Sequence, residues 1–417
     1  MKVLHINIAD TAGGAARAAC RLNRGLHRAG VDSKMLVQFK RSDNRTVAGR
    51  TSNMGKGLAR MRISLDHLPK LFYKKKTDRQ FHLQWLPDRT LRRAVRMRPD
   101  IIHLHWICRG FINIKSLAGI DIPVVWTLHD MWPFTGGCHF SEACRRFEAS
   151  CGACHQLGSG NARDLSSWTL GRKHIHFNLK NMTLIAPSRW MSNQARHSAL
   201  FKNVSIQNIP NGIDTGMFRP IDRHTARELL HLPRNKKLIL AGSLGGTADP
   251  RKGFQYLGRA LRHFSATDIG EDAELVVIGA SEPADSTGFN IKTTRLGTMK
   301  DDISLALAYS AADLFVAPST QDNLPNMVME ALSCGTPCLA FDIGGMPDMV
   351  RHKKNGYLAE PLDAPGLADG MAYLLESGER LKEMGRRARL KVEREFDSME
   401  IAKRHIGLYE NIIKKRA

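Results

Sequence analysis

The chain predicts an α/β protein of two doubly wound domains, and three features of the sequence carry that prediction. Its 417 residues exceed the roughly 250–300 that one hydrophobic core usually organises. Short apolar strands alternate with helical stretches, and the alternation starts afresh in the second half. Between the two runs lies Ile209-Pro210-Asn211-Gly212-Ile213-Asp214, a turn-rich segment suited to a hinge. The expected domains are residues 1–205 and 206–398, facing a cleft.

The elements follow in order. Residues 3–8 form a first buried strand that turns at Gly13-Gly14 into a helix carrying Ala15, Ala18, Ala19, Leu22 and Leu26 on one face. Further strands are expected at 33–37, 101–105, 124–128 and 183–186, and a helix at 189–199. The second half gives strands at 238–241, 275–279 and 314–317, with a helix over 254–264. Residues 327–333 read as a helix stopped by Cys334-Gly335-Thr336-Pro337, and 338–341 as a buried strand closed by Gly344-Gly345. A final helix covers about 399–413.

With 42% hydrophobic and 24% charged residues the chain is globular, which excludes wholesale disorder. It has no run near the ~18 apolar residues of a membrane-spanning helix. The start, MKVLHINIAD, is interrupted by His5 and Asn7 and reads as a strand rather than a secretory signal. A reducing cytoplasm is therefore expected, and the eight cysteines are not by default a disulfide framework. The net charge of +22 is uneven: residues 1–200 hold 33 Lys+Arg against 12 Asp+Glu, and residues 201–417 hold 29 against 28. The densest part runs from Lys56 to Arg98. Within it Leu58, Met61, Leu65, Leu68 and Phe72 recur at helical spacing before Lys74-Lys75-Lys76. That pattern suits a basic helix lying on an anionic membrane surface, and equally a core-packed helix with a solvated basic face.

The chemistry-bearing residues sit at strand ends. Asp322 stands eight positions before Glu330, and the loop between them opens into a helix whose N-terminal N–H groups are a natural seat for phosphate. Gly13-Gly14 lets a backbone approach a ligand, although a dinucleotide fingerprint would need a third glycine and an acid after the second strand. His129 falls at the end of a strand, where open α/β sheets bind ligands, and His103 and His105 share one strand face. Arg251-Lys252-Gly253 offers cations to a diphosphate.

The stretch from Pro318 to Glu360 resembles the nucleotide-sugar site of family 4 glycosyltransferases, which have the GT-B fold of two Rossmann-like domains. GGAAR, LHDMWPFTGGCH, IPNGID and RKG resemble the family in the same order, so the likeness covers nearly the whole chain. The family has two glutamates where this chain has Asp322 and Glu330, and an arginine where it has Ser243. The resemblance implies that the last helix crosses back to the first domain. It implies donor contacts from Gly13, Gly14, Arg251, Thr298, Met299, Asn323, Leu324, Asn326 and Gly345. It also implies catalytic roles for His129, Lys252, Asp322 and Glu330. The expected reaction is a retaining transfer from a nucleotide sugar to a lipid-linked or polysaccharide acceptor at the inner membrane face, in cell-surface polysaccharide or lipopolysaccharide synthesis. No catalytic metal is expected. A catalytically silent GT-B binding protein is the alternative. A basic nucleic-acid-binding protein is a further one, disfavoured by the few aromatics in the basic segment.

Cys138, Cys144, Cys151 and Cys154 form C-x5-C-x6-C-x2-C within seventeen residues. Four thiolates around a structural zinc would hold a loop that lacks a core of its own, and His139 is a substitute ligand. A redox pair at Cys151/Cys154 and four inert thiols are the other readings.

Overall fold

The computed structural model describes all residues except 51, 78, 244–248, 280–288, 300 and 417, together with the side chain of 243. The chain divides into two compact units, Met1–Pro210 with Ile401–Ala417, and Asn211–Glu400.

The first unit is built on a seven-stranded parallel sheet: β1 (Lys2–Ala9), β2 (Asp32–Phe39), β3 (Val47–Arg50), β4 (Ile101–Leu104), β5 (Val124–Thr127), β6 (Met182–Ala186) and β7 (Ile206–Asn208). Their spatial order is β3-β2-β1-β4-β5-β6-β7. The central strands are apolar almost throughout because both faces are covered. The helix Gly14–Arg28 buries Ala16, Ala18, Ala19 and Leu22. Gly13 caps it at φ 92°, a conformation that favours glycine. The helix Ser398–Lys414 ends the chain, and its Ile401, Ala402 and Tyr409 join Val3, Leu26, Val31, Ile101, Val125 and Ile185 in one core cluster.

The second unit holds a six-stranded parallel sheet: β8 (Lys237–Ser243), β9 (Ala273–Gly279), β10 (Thr293–Gly297), β11 (Leu314–Ala317), β12 (Cys338–Phe341) and β13 (Gly356–Ala359), in the order β10-β9-β8-β11-β12-β13. Asp313 locks its base. One oxygen accepts from Arg227 at 2.8 Å and from the Leu238 N–H at 2.7 Å, and the other accepts from Arg223 at 2.6 Å.

Both sheets are doubly wound, with their reversal points between β1 and β4 and between β8 and β11. Loops at the carboxyl ends of those strands are where such sheets receive ligands.

The basic segment is a helix over Asn53–His67 followed by a tight 3-10 turn over Leu68–Phe72. Its apolar side chains are not packed away. Met61, Leu68, Leu71 and Phe72 are exposed, Phe72 to 88%, and only Ala59 and Asp66 of the helix are buried. No helix among the described residues is long and apolar enough to cross a membrane.

Candidate functional site

At the reversal point of the second unit, the loops after β8 and β11 close on one another. Asp249 starts a short 3-10 turn over Pro250–Lys252 by accepting from the Arg251 N–H. Gly253 then takes φ 72°, and a Cβ there would lie 1.7 Å from the Pro318 carbonyl oxygen, so only glycine lets the loops touch. The contact is sealed by the Thr320 N–H donating to the Arg251 carbonyl at 2.8 Å.

Across this seam Lys252 Nζ meets Asp322 Oδ2 at 2.7 Å, and Arg251 Nη1 stands 3.7 Å from the same oxygen. Arg251 is held by Asp249 at 3.0 Å and by the Gln321 carbonyl at 3.1 Å. Burial alone would push the Asp322 carboxyl up. Lys252, Arg251 and the Asn323 N–H outweigh that and hold it below its ordinary value. Gly344, at φ 56°, and Gly345 wrap the Asp322 backbone, with the Gly345 N–H donating to the Asp322 carbonyl at 3.1 Å. Arg251, Lys252, Asp322, Asn323 and Gly345 are thus brought together. Asp322 is engaged by the cations that were expected to face a diphosphate.

Glu330 is fully buried on the helix Asn326–Ser333, where Oε2 accepts from the Tyr309 hydroxyl at 3.0 Å. Leu324 packs into the core beside this helix, so its side chain is a wall and only its backbone is left for a ligand. Thr298 and Met299 follow Gly297 at the end of β10, Thr298 exposed and Met299 half-buried. Ser243 ends β8, and its side chain lies outside the described residues.

In the first unit Gly13 and Gly14 are exposed at the carboxyl end of β1, with nothing within 4 Å of a Cβ added at Gly13. His129 lies just beyond β5. Burial pushes its imidazole down to about 4, with Asp130 opposing the shift. His103 and His105 do not line a surface: both are buried in a cluster of imidazoles with His5 and His405. Asp130 turns to another pair, accepting from Trp106 Nε1 at 2.7 Å and bonding His139 Nδ1 at 2.6 Å, while His139 Nε2 meets His82 Nδ1 at 2.6 Å. Both ring nitrogens of His139 are therefore engaged away from the cysteines.

The four cysteines line one cavity with Phe81, Gly136 and Ser166. Cys151, Gly152 and Ala153 take φ 53°, 104° and 43°, a left-handed turn whose N–H groups donate to the Arg146 carbonyl, the Ser166 hydroxyl and the Asn161 carbonyl. Cys154 faces the Gln156 and Leu157 N–H groups, and Cys151 faces that of Gly136, while burial pushes both thiols up. Amide donors around sulfur also surround metal-bound thiolates, and this is what supports the zinc reading of the four cysteines. Among the described residues, the groups of three whose donor atoms all lie within 4.8 Å of one another are His5, His103, His105 and His82, Cys108, His139, not the four thiols. Sequence reasoning missed Lys173. It is fully buried, hydrogen-bonds the Trp132 and Thr135 carbonyls, lies 3.8 Å from the Trp132 ring centre, and is brought down to about 7 by burial. It pins the loop that leads into Cys138.

Two family models match the chain: Glycosyltransferase Family 4 over residues 12–216, and Glycosyl transferases group 1 over residues 235–377. The chain belongs to the family 4, group 1 glycosyltransferases. Its relatives include the D-inositol 3-phosphate glycosyltransferase of Nocardia farcinica, 26% identical over 319 residues, with 72% of this chain and 64% of the relative covered. They also include the N-acetyl-alpha-D-glucosaminyl L-malate synthase of Bacillus anthracis, 24% identical over 368 residues, with 83% and 85% covered. The chain thus spans just under two thirds of the first relative's length. Three solved structures share the GT-B fold over nearly their full lengths. Sucrose-phosphate synthase from Thermosynechococcus elongatus matches with TM-score 0.70 and 19% identity, covering 99% of both chains. WaaG, a glycosyltransferase involved in lipopolysaccharide biosynthesis, matches with 0.65 and 16%, covering 98% and 99%. Anabaena HepE in complex with UDP and glucose matches with 0.63 and 18%, covering 98% and 99%. In this glycosyltransferase the first model begins at the glycine turn after β1 and runs through β7, and the second spans β8 to β13.

Proposed function

We propose that this family 4 glycosyltransferase moves a sugar from a nucleotide-sugar donor to a lipid-linked or polysaccharide acceptor at the inner face of the cytoplasmic membrane. The observation that carries the reading is the seam of Arg251, Lys252 and Asp322 at the reversal point of the second sheet, with Glu330 on the helix that follows. A departing nucleoside diphosphate needs cations there, and Lys252 and Arg251 are placed to supply them when Asp322 gives up part of its hold. Arg251 takes the part of the family arginine replaced by Ser243. The N–H groups of the helix beginning at Asn326 add partial positive charge. Asp322, Glu330, Asn323 and the Gly345 backbone orient the sugar and ribose, Thr298 and Met299 carry the base, and His129 meets a hydroxyl of the donor sugar. Gly13 and Gly14 let backbone approach the phosphates.

The bond from the anomeric carbon to phosphate breaks and its electron pair leaves on the diphosphate. The acceptor hydroxyl attacks from the same face, and its proton passes to the departing phosphate oxygen, so configuration is retained. The exposed Met61, Leu68, Leu71 and Phe72 beside Lys74, Lys75 and Lys76 support a surface that meets anionic lipid. A likeness to WaaG, involved in lipopolysaccharide biosynthesis, agrees with a cell-surface product. The four cysteines hold a structural zinc that takes no part in transfer.

The test is incubation with a panel of UDP-, GDP- and ADP-sugars and a membrane lipid extract, with anomeric configuration read by proton NMR. Transfer with retention is expected, and Glu330→Gln should lower it at least a hundredfold while leaving the melting temperature within a few degrees. Tight nucleotide-sugar binding with no transfer would establish the silent binding protein instead.

A further inference from the structure

His129 is not an isolated ring. Its Nε2 lies 3.0 Å from Nδ1 of His105, and Nε2 of His105 lies 2.9 Å from Nδ1 of His5. The three rings step from the end of β5 through the end of β4 into the middle of β1. There the line stops: His5 Nε2 is buried and has no hydrogen-bond partner among the described residues. His103 packs alongside, stacked on His105 at 4.3 Å and 26°. Both its nitrogens are taken, one by the Tyr409 hydroxyl at 2.6 Å and one by the Thr127 hydroxyl at 2.8 Å. The His103 nitrogens, already bonded to hydroxyls, are spent as ligands. The group is a hydrogen-bonded chain and not a metal site.

Burial keeps every ring of the chain neutral at physiological pH, with His5 brought down to about 3 and His105 well below its ordinary value. A neutral imidazole carries one N–H and one bare nitrogen. Each of the two N···N contacts needs one of each, so the three rings must all point the same way. Only two arrangements satisfy the contacts. In one, His5 Nδ1–H donates to His105, His105 Nδ1–H donates to His129 Nε2, and His129 carries its proton on Nδ1. The other reverses every bond and leaves the His5 Nε2–H stranded in the core. An orphaned buried N–H is the rarer and costlier of the two dead ends.

We propose that His105 and His5 are positioning residues that fix His129 as the Nδ1–H tautomer, so that it presents a hydrogen-bond donor to the hydroxyl oxygen of the sugar. The tautomer assignment stands on the chain geometry alone. Its consequence for transfer rests on the reading of His129 given under Proposed function. Free histidine in water favours the opposite, Nε2–H form, so the protein selects the minority tautomer and its preference is measurable.

The experiment is ring 15N NMR on full-length protein labelled at histidine, with the His129 signals assigned by their loss in His129→Gln. The wild type should show His129 protonated at Nδ1 alone. His105→Leu should let a substantial fraction revert to the Nε2–H form. His105→Asn, whose side-chain amide can donate from nearly the same point, should restore the wild-type pattern. Transfer should follow: kcat about tenfold lower in His105→Leu with donor KM little changed, and recovered in His105→Asn. If His129 in the wild type carries its proton on Nε2, the inference is overturned, and that measurement asks only that His129→Gln fold well enough to assign the wild-type signals. If the tautomers behave as expected but His129→Ala transfers normally, the chain stands and the role given to His129 in transfer falls.

Discussion

Replacing Lys252 by alanine probes the seam between the loops after β8 and β11. Asp322 is 13% exposed at its side chain and Lys252 25%, so the pair is largely out of water. Breaking a fully buried ion pair costs about 3–5 kcal/mol, mostly because the surviving charge is left without a partner. Here Arg251 remains 3.7 Å away and water reaches the lysine, so a loss of about 2–3 kcal/mol is expected. For a unit of this size that is a fall of roughly 5–10 °C in melting temperature. The loss has a pH signature. In the wild type the folded carboxyl lies below its unfolded value, so its stabilisation is present above about pH 4 and disappears as pH falls through the folded value. In the variant the balance tips toward burial and the carboxyl rises. The deficit should therefore be full at pH 7, shrink as pH falls through the variant's raised value, where Asp322 protonates in the variant while still ionised in the wild type, and shrink further as pH falls through the wild-type folded value. Calorimetry of the two proteins side by side at pH 7, 5 and 3.5 reads this directly. Adding Asp322→Asn to the alanine variant should recover most of the lost stability at pH 7. A deficit of constant size down to pH 3.5, or no recovery in the double variant, would refute the account.

Gly253→Ala should cost more than about 2 kcal/mol, because the new Cβ would overlap the Pro318 carbonyl and φ 72° strains any other residue. Nucleotide affinity by titration calorimetry should fall with it, and an unchanged melting temperature would contradict the seam. Purified protein should carry about one zinc per chain by elemental analysis, and Cys151→Ser or Cys154→Ser should lose it. Those variants should melt earlier yet bind nucleotide as before, and metal-free wild type prepared without chelator would count against the site. Wild type should sediment with anionic but not neutral vesicles and release as salt rises. Reversing Lys74, Lys75 and Lys76 to glutamate should cut that binding more than tenfold and spare nucleotide affinity, and undiminished sedimentation would place the contact elsewhere.

Much of the fold could be read from local signals. The strands at 314–317 and 338–341 and the helix at 254–264 came out at their observed bounds, because each is a short apolar run between strong turn residues. The edge strands β3, β7, β10 and β13 carry mixed side chains such as those of Val47–Arg50 and gave no such signal. At the candidate site, the pairing of Lys252 with Asp322 joins residues seventy apart and depends on β8 lying beside β11, which spacing alone does not reveal. The imidazole chain was harder still. His5 reaches His105 only because β1 pairs with β4 with His5 opposite His103. One signal was available: a histidine inside an otherwise apolar buried strand must find a partner, and KVLHINIA and IIHL each contain one.

The helix Ser398–Lys414 also sets an order of events at the ribosome. Its Ile401, Ala402 and Tyr409 complete an apolar cluster whose other members, from Val3 to Ile209, are synthesised much earlier. The 190 residues of Asn211–Glu400 come between. At roughly 5–20 residues per second, the nascent first unit waits about 10–40 s with Val3, Leu26 and Val125 uncovered on that side. During that interval it is the natural client of a chaperone. A chain that stops near residue 400 would keep the same face open for good, which makes premature termination there a route to aggregation and degradation even though every residue proposed for transfer has already been made.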